Sequence, residues 1–405
     1  MTDYMKIKVG IVHGHLGSGN GGSEAKAMWA AEALKRDFGV SLVTAGPVDL
    51  AQLNRFYGTA VGPTEVAVRS LPMPRPLAVR TAPSALRGAF VDRALKQIAH
   101  EYDLLISVYN LCDFGVPAIQ CVADFSWDEE LRRRFDPPPA GAQGFFHRVP
   151  WLRGSYLRLC RIIAPPSGRN LFAGEDMIVA NSRWTAITLY DKYSAMASVI
   201  YPPVTGQFLD VPYERRSDDI VCIGRISPEK RIERMIRIVG AIRSRGYGVR
   251  LRIVGPLDNS PYSRTIVSLA QLHPEWVLLE GRCVGDEKAR IMAECRYGIH
   301  GREGEAFGIA LAEMVKAGCI TFASAEGGQA EIVDHEALLY RSEDDAVNKI
   351  VAVLKDGALR KSLRHHLRGQ AGKFSAEHFM SELRAAVERF AQHRKHSDPR
   401  YAEIS

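Results

Sequence analysis

Two glutamates eight positions apart open the chemistry of this chain, in the run Glu305-Ala-Phe-Gly-Ile-Ala-Leu-Ala-Glu313. A carboxylate accepts well from a pair of vicinal hydroxyls, so the two can grip different parts of a polyhydroxylated ligand. Gly308 lies between them and lets backbone approach a ligand with no Cβ in the way. A helix starting near Phe307 would offer free N–H groups to phosphate oxygens. An isolated pair of this spacing usually marks two solvated glutamates flanking a core helix. What favours a site is the sequel, Lys316-Ala-Gly318 and then Gly327-Gly328-Gln-Ala-Glu331-Ile332, a second glycine-rich turn into a helix. The layout suits the hydroxyls of a sugar nucleotide beside its phosphates.

A second group is basic. Gly224-Arg225-Ile-Ser-Pro228-Glu-Lys230-Arg231 follows an apolar strand. Arg225 and Lys230, on a loop stiffened by Pro228, can converge on one diphosphate, the first as a planar fork and the second as a point charge. Near the N-terminus, Gly17-Ser-Gly19-Asn-Gly21-Gly22-Ser23-Glu24 also fits a dinucleotide fingerprint. That reading needs an acid at the end of the second strand, where Gly46-Pro47-Val48 stands and Asp49 comes too late. Tyr109-Asn110-Leu-Cys-Asp113 leaves another strand with its polar side chains at the strand end. Asn181-Ser182-Arg183 ends a further strand and starts a helix, with Ser182 as its N-cap.

These residues need strand ends to hold them, and the chain supplies strands alternating with helices over nearly its whole length, an α/β pattern with mainly parallel sheets. Strands read at Ile7–His13, Val40–Ala45, Asp103–Val108 and Asp176–Asn181, with a helix from about Ser23 to Lys35. An open parallel sheet places ligands at such strand ends. Proline and charge interrupt the pattern after Pro203. Strand Ile220–Gly224 then restarts it, followed by Arg250–Gly255, Val277–Glu280, a helix from Asp286 and Tyr297–His300. The expected organisation is an N-terminal domain over 1–203, a linker over 204–219, a C-terminal domain over 220–375 and a helical tail over 376–405.

The sequence resembles retaining family-4 glycosyltransferases of GT-B fold. The resemblance rests on Glu305, Phe307, Gly308, Glu313, Ala317-Gly318, Gly327-Gly328 and Glu331-Ile-Val333, with Ala317-Gly-Cys-Ile-Thr-Phe-Ala-Ser closest to mannosyltransferases that extend lipid-linked oligosaccharides. It implies two Rossmann-like domains facing a central cleft, with the tail helix crossing back to the first. It implies transfer of a hexose, mannose favoured, from a GDP- or UDP-linked donor to a saccharide or lipid-linked acceptor with retention at the anomeric carbon. Glu305 would hold the donor sugar and Glu313 the ribose. Phe307, Gly308 and Ile309 would meet the diphosphate through backbone, and Arg225 and Lys230 would stabilise it as it leaves. The loop at Cys283 would read the base, and Gly21 and Gly22 would lie near phosphates and acceptor. On the acceptor side it implies Asn110, Asp113, Asp124 and Arg183. The chain departs from the family at Gln120–Trp127, which lacks the usual histidine and offers Asp124 instead. A sugar-nucleotide epimerase and an inactive donor-binding homologue are the alternatives.

Composition bounds the rest. The chain has 405 residues, 46% of them hydrophobic and 24% charged, which fits two globular domains. Seven scattered cysteines with no C-x-x-C pair argue for a reducing cytoplasm and against a zinc site. The N-terminus does not read as a signal peptide, and no acidic pair suggests a metal. Net charge is +7. Between 131 and 169 eight arginines meet one acid, Asp136, and are interleaved with Phe145, Phe146, Trp151, Leu152, Tyr156 and Leu157. That mixture suits an anionic membrane surface. No nucleic-acid motif accompanies it, so a peripheral place on the cytoplasmic membrane face is expected.

Overall fold

The computed structural model describes residues 6–17, 21–77, 84–135 and 149–397. It divides into two compact units, Met1–Pro203 with Ala376–Ser405, and Val204–Ser375. Phe145, Phe146 and Arg148 of the basic segment, and Gly19 of the first glycine loop, lie outside the described residues.

The first unit is built on seven strands, β1 Lys8–Val12, β2 Gly39–Ala45, β3 Val66–Leu71, β4 Leu104–Ser107, β5 Ile119–Val122, β6 Met177–Ala180 and β7 Ala197–Val199. They pair in the order β3-β2-β1-β4-β5-β6-β7, every pair parallel. Central strands such as β4 (LLIS) are buried at every position. This is the continuous apolar run of a sheet covered on both faces. The helices are α1 Gly22–Leu34, α2 Leu50–Tyr57, α3 Ser84–Ile98, α4 Glu129–Phe135, α5 Pro150–Ile163 and α6 Arg183–Tyr193.

The second unit repeats the design with β8 Ser217–Ile223, β9 Leu251–Val254, β10 Val277–Gly281, β11 Cys295–His300, β12 Ile320–Ser324 and β13 Leu339–Tyr340. Its order is β10-β9-β8-β11-β12-β13, again parallel. Its helices are α7 Ile232–Ser244, α8 Pro261–Leu272, α9 Gly285–Glu294, α10 Ile309–Lys316, α11 Ala330–Val333, α12 Glu343–Lys355 and α13 Gly357–Ala371. In both sheets the order reverses beside the first strand, between β1 and β4 and between β8 and β11. Ligands of open α/β sheets bind at that reversal, outside the carboxyl ends of the strands.

The chain enters the second unit earlier than its polar residues suggest. Val204 N donates to Phe374 O at 3.0 Å, and Arg216 Nη1 donates to Ala317 O at 2.8 Å. Strand β8 begins at Ser217, because the polar stretch finds partners there. Ser217 Oγ donates to Glu294 O, and Asp219 takes both arms of Arg250.

The last helix, α14 Ala376–Ser397, belongs to the first unit. Its Phe379, Leu383, Ala386, Val387 and Phe390 share one buried core with α1 and β1. The alanines of α1 leave room for it, and Arg384 Nη2 donates to Ala33 O at 2.7 Å. Leu383 is 1% exposed. Leu383→Ala is therefore expected to destabilise this unit by about 2–5 kcal/mol through lost burial and a cavity. Urea unfolding followed by circular dichroism checks this, and an unchanged midpoint would separate the helix from the core.

Candidate active site

The reversal point of the second unit collects the charged groups. The loop after β8 carries Gly224, Arg225 and Lys230, and the loop after β11 carries Gly301 to Glu305. Gly301 is what lets the two loops touch, since a Cβ there would lie 2.6 Å from Lys230 O. Across the contact Lys230 Nζ donates to Glu305 Oε2 at 2.7 Å, with both side chains 16% exposed. The same oxygen lies 3.4 Å from His300 Nε2 and 3.7 Å from Arg302 Nε. Burial pushes the Glu305 carboxyl up. Lys230, His300 and Arg302 outweigh it and hold the group well below the usual carboxylate range. Glu305 thus stays an acceptor, ready for hydroxyl donors.

Its position is fixed from behind. Gly328 N donates to Glu305 O at 2.8 Å and Gly304 N to Glu326 O at 2.9 Å, which clips the two glycine turns together. Gln329 is fully buried, and its Nε2 donates to Glu326 O at 2.5 Å and to Arg302 O at 3.2 Å. Gly308 adopts φ 104°, a left-handed conformation, and caps α10, which starts at Ile309. The helix therefore begins two residues later than Phe307. No side chain caps this end, which leaves the backbone at Gly308 and Ile309 facing whatever binds there. The Phe307 ring does not join it. That ring is 2% exposed and packs edge-on against Phe374 at 5.4 Å.

Glu313, one helix face further on, is paired with Lys288 of α9 at 2.7 Å. Cys283 turns inward, its Sγ donating to Glu280 O at 3.3 Å, while its neighbours Arg282 and Val284 are exposed. Arg225 differs from Lys230. Its side chain is 75% exposed and only loosely held by Glu229 at 3.3 Å. A narrow recess lined by Gly224, Arg225, Lys230, Met235, His300 and Gly301 runs down between the two loops.

In the first unit the strand ends bring together a different set. Asn110, with φ 63°, donates from Nδ2 to Asp124 Oδ1 at 2.7 Å and accepts on Oδ1 from the backbone of Ala123 and Asp124. Tyr109 OH donates to Asp124 Oδ2 at 3.0 Å. The Tyr109 ring lies 6.0 Å from that of His13, which follows β1, and His13 Nε2 meets Ser23 Oγ of α1 at 3.0 Å. Gly21 forms the N-cap of α1 and Gly22 its first residue. Tyr57 OH holds this turn, accepting from Gly21 N and donating to buried Glu24. Arg183 is exposed at the start of α6, where Ser182 caps Thr185 N as expected.

Asp113 is not drawn into that set. Its oxygens take Lys96 at 2.8 Å and the Ser167 backbone and hydroxyl at 2.7 and 2.6 Å, stapling α3 to the chain beyond α5. Burial raises its pKa, and these partners outweigh burial and bring it to about 2. Asp49 accepts from Gln52 N as the N-cap of α2, which gives it a local job unrelated to a ribose. His13, Lys26 and His300 escaped the sequence reading. The available signal was their position, since His300 closes β11 and His13 directly follows β1, both beside a reversal point. Lys26 is 5% exposed on α1, and burial lowers its pKa.

The basic segment separates into paired and outward arginines. Glu129 takes Arg132 and Arg153, and Arg169 pairs with Glu175 and Asp176. Tyr156 faces inward and accepts from Leu86 N. Along α5, Trp151, Leu159 and Ile162 are 70%, 48% and 74% exposed, with Arg158 and Arg161 beside them. Among the described residues no helix is long and apolar enough to cross a membrane, and no three His, Cys, Asp or Glu side chains gather as a metal set would.

Known proteins share this frame. Residues 212–371 match the family model of glycosyl transferases group 1. The human GDP-Man:Man(3)GlcNAc(2)-PP-Dol alpha-1,2-mannosyltransferase is 26% identical over 239 residues, 53% of this chain and 48% of that protein. The Xenopus laevis protein of the same name is 28% identical over 236 residues, with the same shares. The chain thus spans about half the length of the curated relatives it matches. Among solved structures, sucrose-phosphate synthase from Thermosynechococcus elongatus superposes with TM-score 0.68 at 15% identity, over 95% of this chain and 99% of that one. HepE of Anabaena, crystallised with UDP and glucose, gives 0.62 at 16% identity over 95% and 100%. WaaG, a glycosyltransferase involved in lipopolysaccharide biosynthesis, gives 0.61 at 16% identity over 92% and 98%. These likenesses establish the GT-B fold.

One consequence of the geometry concerns acid. His13 is 7% exposed, and burial, only partly opposed by Glu24, lowers its pKa to about 4. The folded state therefore binds fewer protons than the unfolded state between about pH 4 and 6.5, and stability falls as pH falls through that window. At pH 5 the loss from this one group is roughly 2 kcal/mol. Denaturant midpoints at pH 7 and pH 5 measure it, and His13→Gln is expected to shrink the difference by about that amount. An undiminished difference in the variant would exclude His13 as its source.

Proposed function

For a chain whose second unit carries a group 1 glycosyl transferase domain on a GT-B fold, we propose transfer of a hexose from a nucleotide diphosphate sugar to an acceptor hydroxyl. The observation that carries this reading is the Lys230–Glu305 contact at the reversal point between β8 and β11. It sets a cation for phosphate beside an ionised acceptor for sugar hydroxyls.

In this reading Glu305 accepts from hydroxyls of the donor sugar and Glu313 from the ribose. The diphosphate lies against the backbone at Gly308 and Ile309, with Lys230 below it and Arg225 closing from solvent. The bond from the anomeric carbon to the diphosphate oxygen breaks, and a bond to the acceptor oxygen forms on the same face. The acceptor proton passes to the departing phosphate oxygen. Charge develops on that diphosphate, where prepositioned Lys230, Arg225 and a helix N-terminus stabilise it. No metal is required for that. Among donors we favour GDP-mannose, because the matched relatives are named for it.

We propose the acceptor to be a saccharide, lipid-linked as in the names of those relatives, met by Asn110 and Asp124 of the first unit. A lipid-linked acceptor fits α5, whose exposed Trp151, Leu159 and Ile162 with Arg158 and Arg161 suit an anionic interface. The protein would then work peripherally on the cytoplasmic face of a membrane.

A panel of GDP- and UDP-linked sugars, with and without membrane extract, tests the reaction. GDP-mannose is expected to bind and to label a lipid-extractable product, with chelator making no difference. Arg225→Ala and Glu305→Gln are each expected to slow transfer by about 100-fold or more with the fold intact. If no nucleotide sugar binds, or if both variants behave as the unmutated chain, the assignment is wrong. Co-sedimentation with vesicles containing phosphatidylserine tests the membrane part separately. Trp151→Ser with Ile162→Ser is expected to lower the bound fraction several-fold, and equal binding would remove α5 from the interface.

A further inference from the structure

His300 closes β11 directly beneath Glu305 and is 2% exposed. Its backbone is fixed, since Tyr340 OH donates to His300 O at 2.6 Å. Its Nε2 reaches Glu305 Oε2 only at 3.4 Å, a long and poorly aligned contact, and has no other partner among the described residues. A buried ring nitrogen in that condition is unusual, because burial removes water without supplying a partner. The reason is visible next to it. Lys230 Nζ already holds Glu305 Oε2 at 2.7 Å, and the carboxylate is turned toward the lysine. His300 also lines the recess shared with Arg225 and Lys230.

We propose that His300 is a positioning residue for the donor-bound state, taking over Glu305 when the diphosphate draws Lys230 away. This rests on the donor reading given above. The Lys230 ammonium has three N–H donors, but a diphosphate is more highly charged than the Glu305 carboxylate and competes for it, drawing it off Oε2. As the lysine leaves, a shift of about 0.5 Å brings Glu305 Oε2 from 3.4 Å into hydrogen-bond range of His300 Nε2–H. The carboxylate stays ionised and aimed while its other oxygen accepts from the sugar. The ring does this as a neutral donor with its proton on Nε2. Burial, partly opposed by Glu305, lowers its pKa and keeps it neutral. Arg302, with Nε 3.7 Å from the same oxygen, flanks the carboxylate and remains where it is. The exchange separates two duties that one static ion pair cannot perform together, binding phosphate and aiming at sugar.

Three measurements on the full chain test it. Calorimetry with GDP-mannose on the unmutated protein comes first, and absence of binding by this and by the UDP-sugars overturns the donor reading and this proposal with it. Given binding, nitrogen-15 spectra of the unmutated protein are expected to show a protonated Nε2 on His300 whose proton moves downfield on adding GDP-mannose. An unmoved resonance overturns the exchange alone. In transfer assays His300→Leu is expected to lower kcat by about 10-fold or more while changing KM for donor only a few-fold. His300→Gln restores an N–H of similar reach and is expected to recover most of that loss. A glutamine variant no better than the leucine variant, or a leucine variant at full rate, overturns the positioning role and leaves the donor reading standing. Should the leucine variant not fold, the spectra and the glutamine variant still decide the matter.

Discussion

A carboxylate buried against a lysine is the constraint from which the second unit is best understood. Taking both charges of the Lys230–Glu305 pair out of water is costly, and only close geometry and further partners recover the cost. That requirement explains features that otherwise look incidental. Gly301 must lack a side chain, or the loop bearing Lys230 would be pushed off the loop bearing Glu305. The turn at 326–328 must be clipped to Gly304 and Glu305, and Gln329 must be buried to clamp it. The left-handed Gly308 ends the loop that carries Glu305 and lets α10 begin at Ile309, only four residues further on.

The first unit has the same strand order and the same reversal, but its polar groups satisfy one another. Asn110 and Asp124 exchange hydrogen bonds with each other and with the backbone between them, and Tyr109 closes the set. Such a group is held in place by its own hydrogen bonds, with the Asp124 carboxylate already engaged by Asn110, Tyr109 and Ser126. It suits an uncharged hydroxyl better than a phosphate. The second unit thus carries a charged site at its reversal point, and the first unit a set of polar groups that satisfy one another. Sequence alone hinted at this contrast through glutamate, arginine and lysine after the second set of strands and asparagine after the first.

Much of the fold was legible because parallel strands buried on both faces announce themselves as short apolar runs. β1, β4, β6, β9 and β11 all lie where those runs stand. The carriers of charge at their ends were legible for the same reason, since loop residues next to a buried strand have few places to go. Partner choice was not legible. Nothing local shows that Asp113 will be spent on Lys96 and Ser167, that Glu313 will find Lys288, or that Ser217 to Asp219 will be drawn into β8 by Glu294 and Arg250. Those pairings span tens of residues and are fixed by tertiary packing. The start of α10 was misplaced by two residues because a left-handed glycine, rather than a polar cap, ends the preceding loop. His300 passed as a strand residue because its role depends on an oxygen five residues later that the chain folds back to meet.

The two cations of the site illustrate why their chemical identities are not interchangeable. Lys230 is largely covered, at 16% exposed, and its stem lies along Gly224, so in the proposed reaction it could shift its ammonium a short way between a carboxylate and a phosphate without leaving the site. A guanidinium in its place would bind the carboxylate bidentately and resist that transfer. Arg225 stands outside, three-quarters exposed and weakly tethered to Glu229. Its planar fork pays little to leave water-exposed Glu229 for two phosphate oxygens. In the proposed reaction, a largely covered lysine that moves slightly and an exposed arginine that moves far would together bring positive charge to a leaving diphosphate. Glu305 meanwhile neutralises this largely covered lysine at 2.7 Å, so its charge is paired within the second unit.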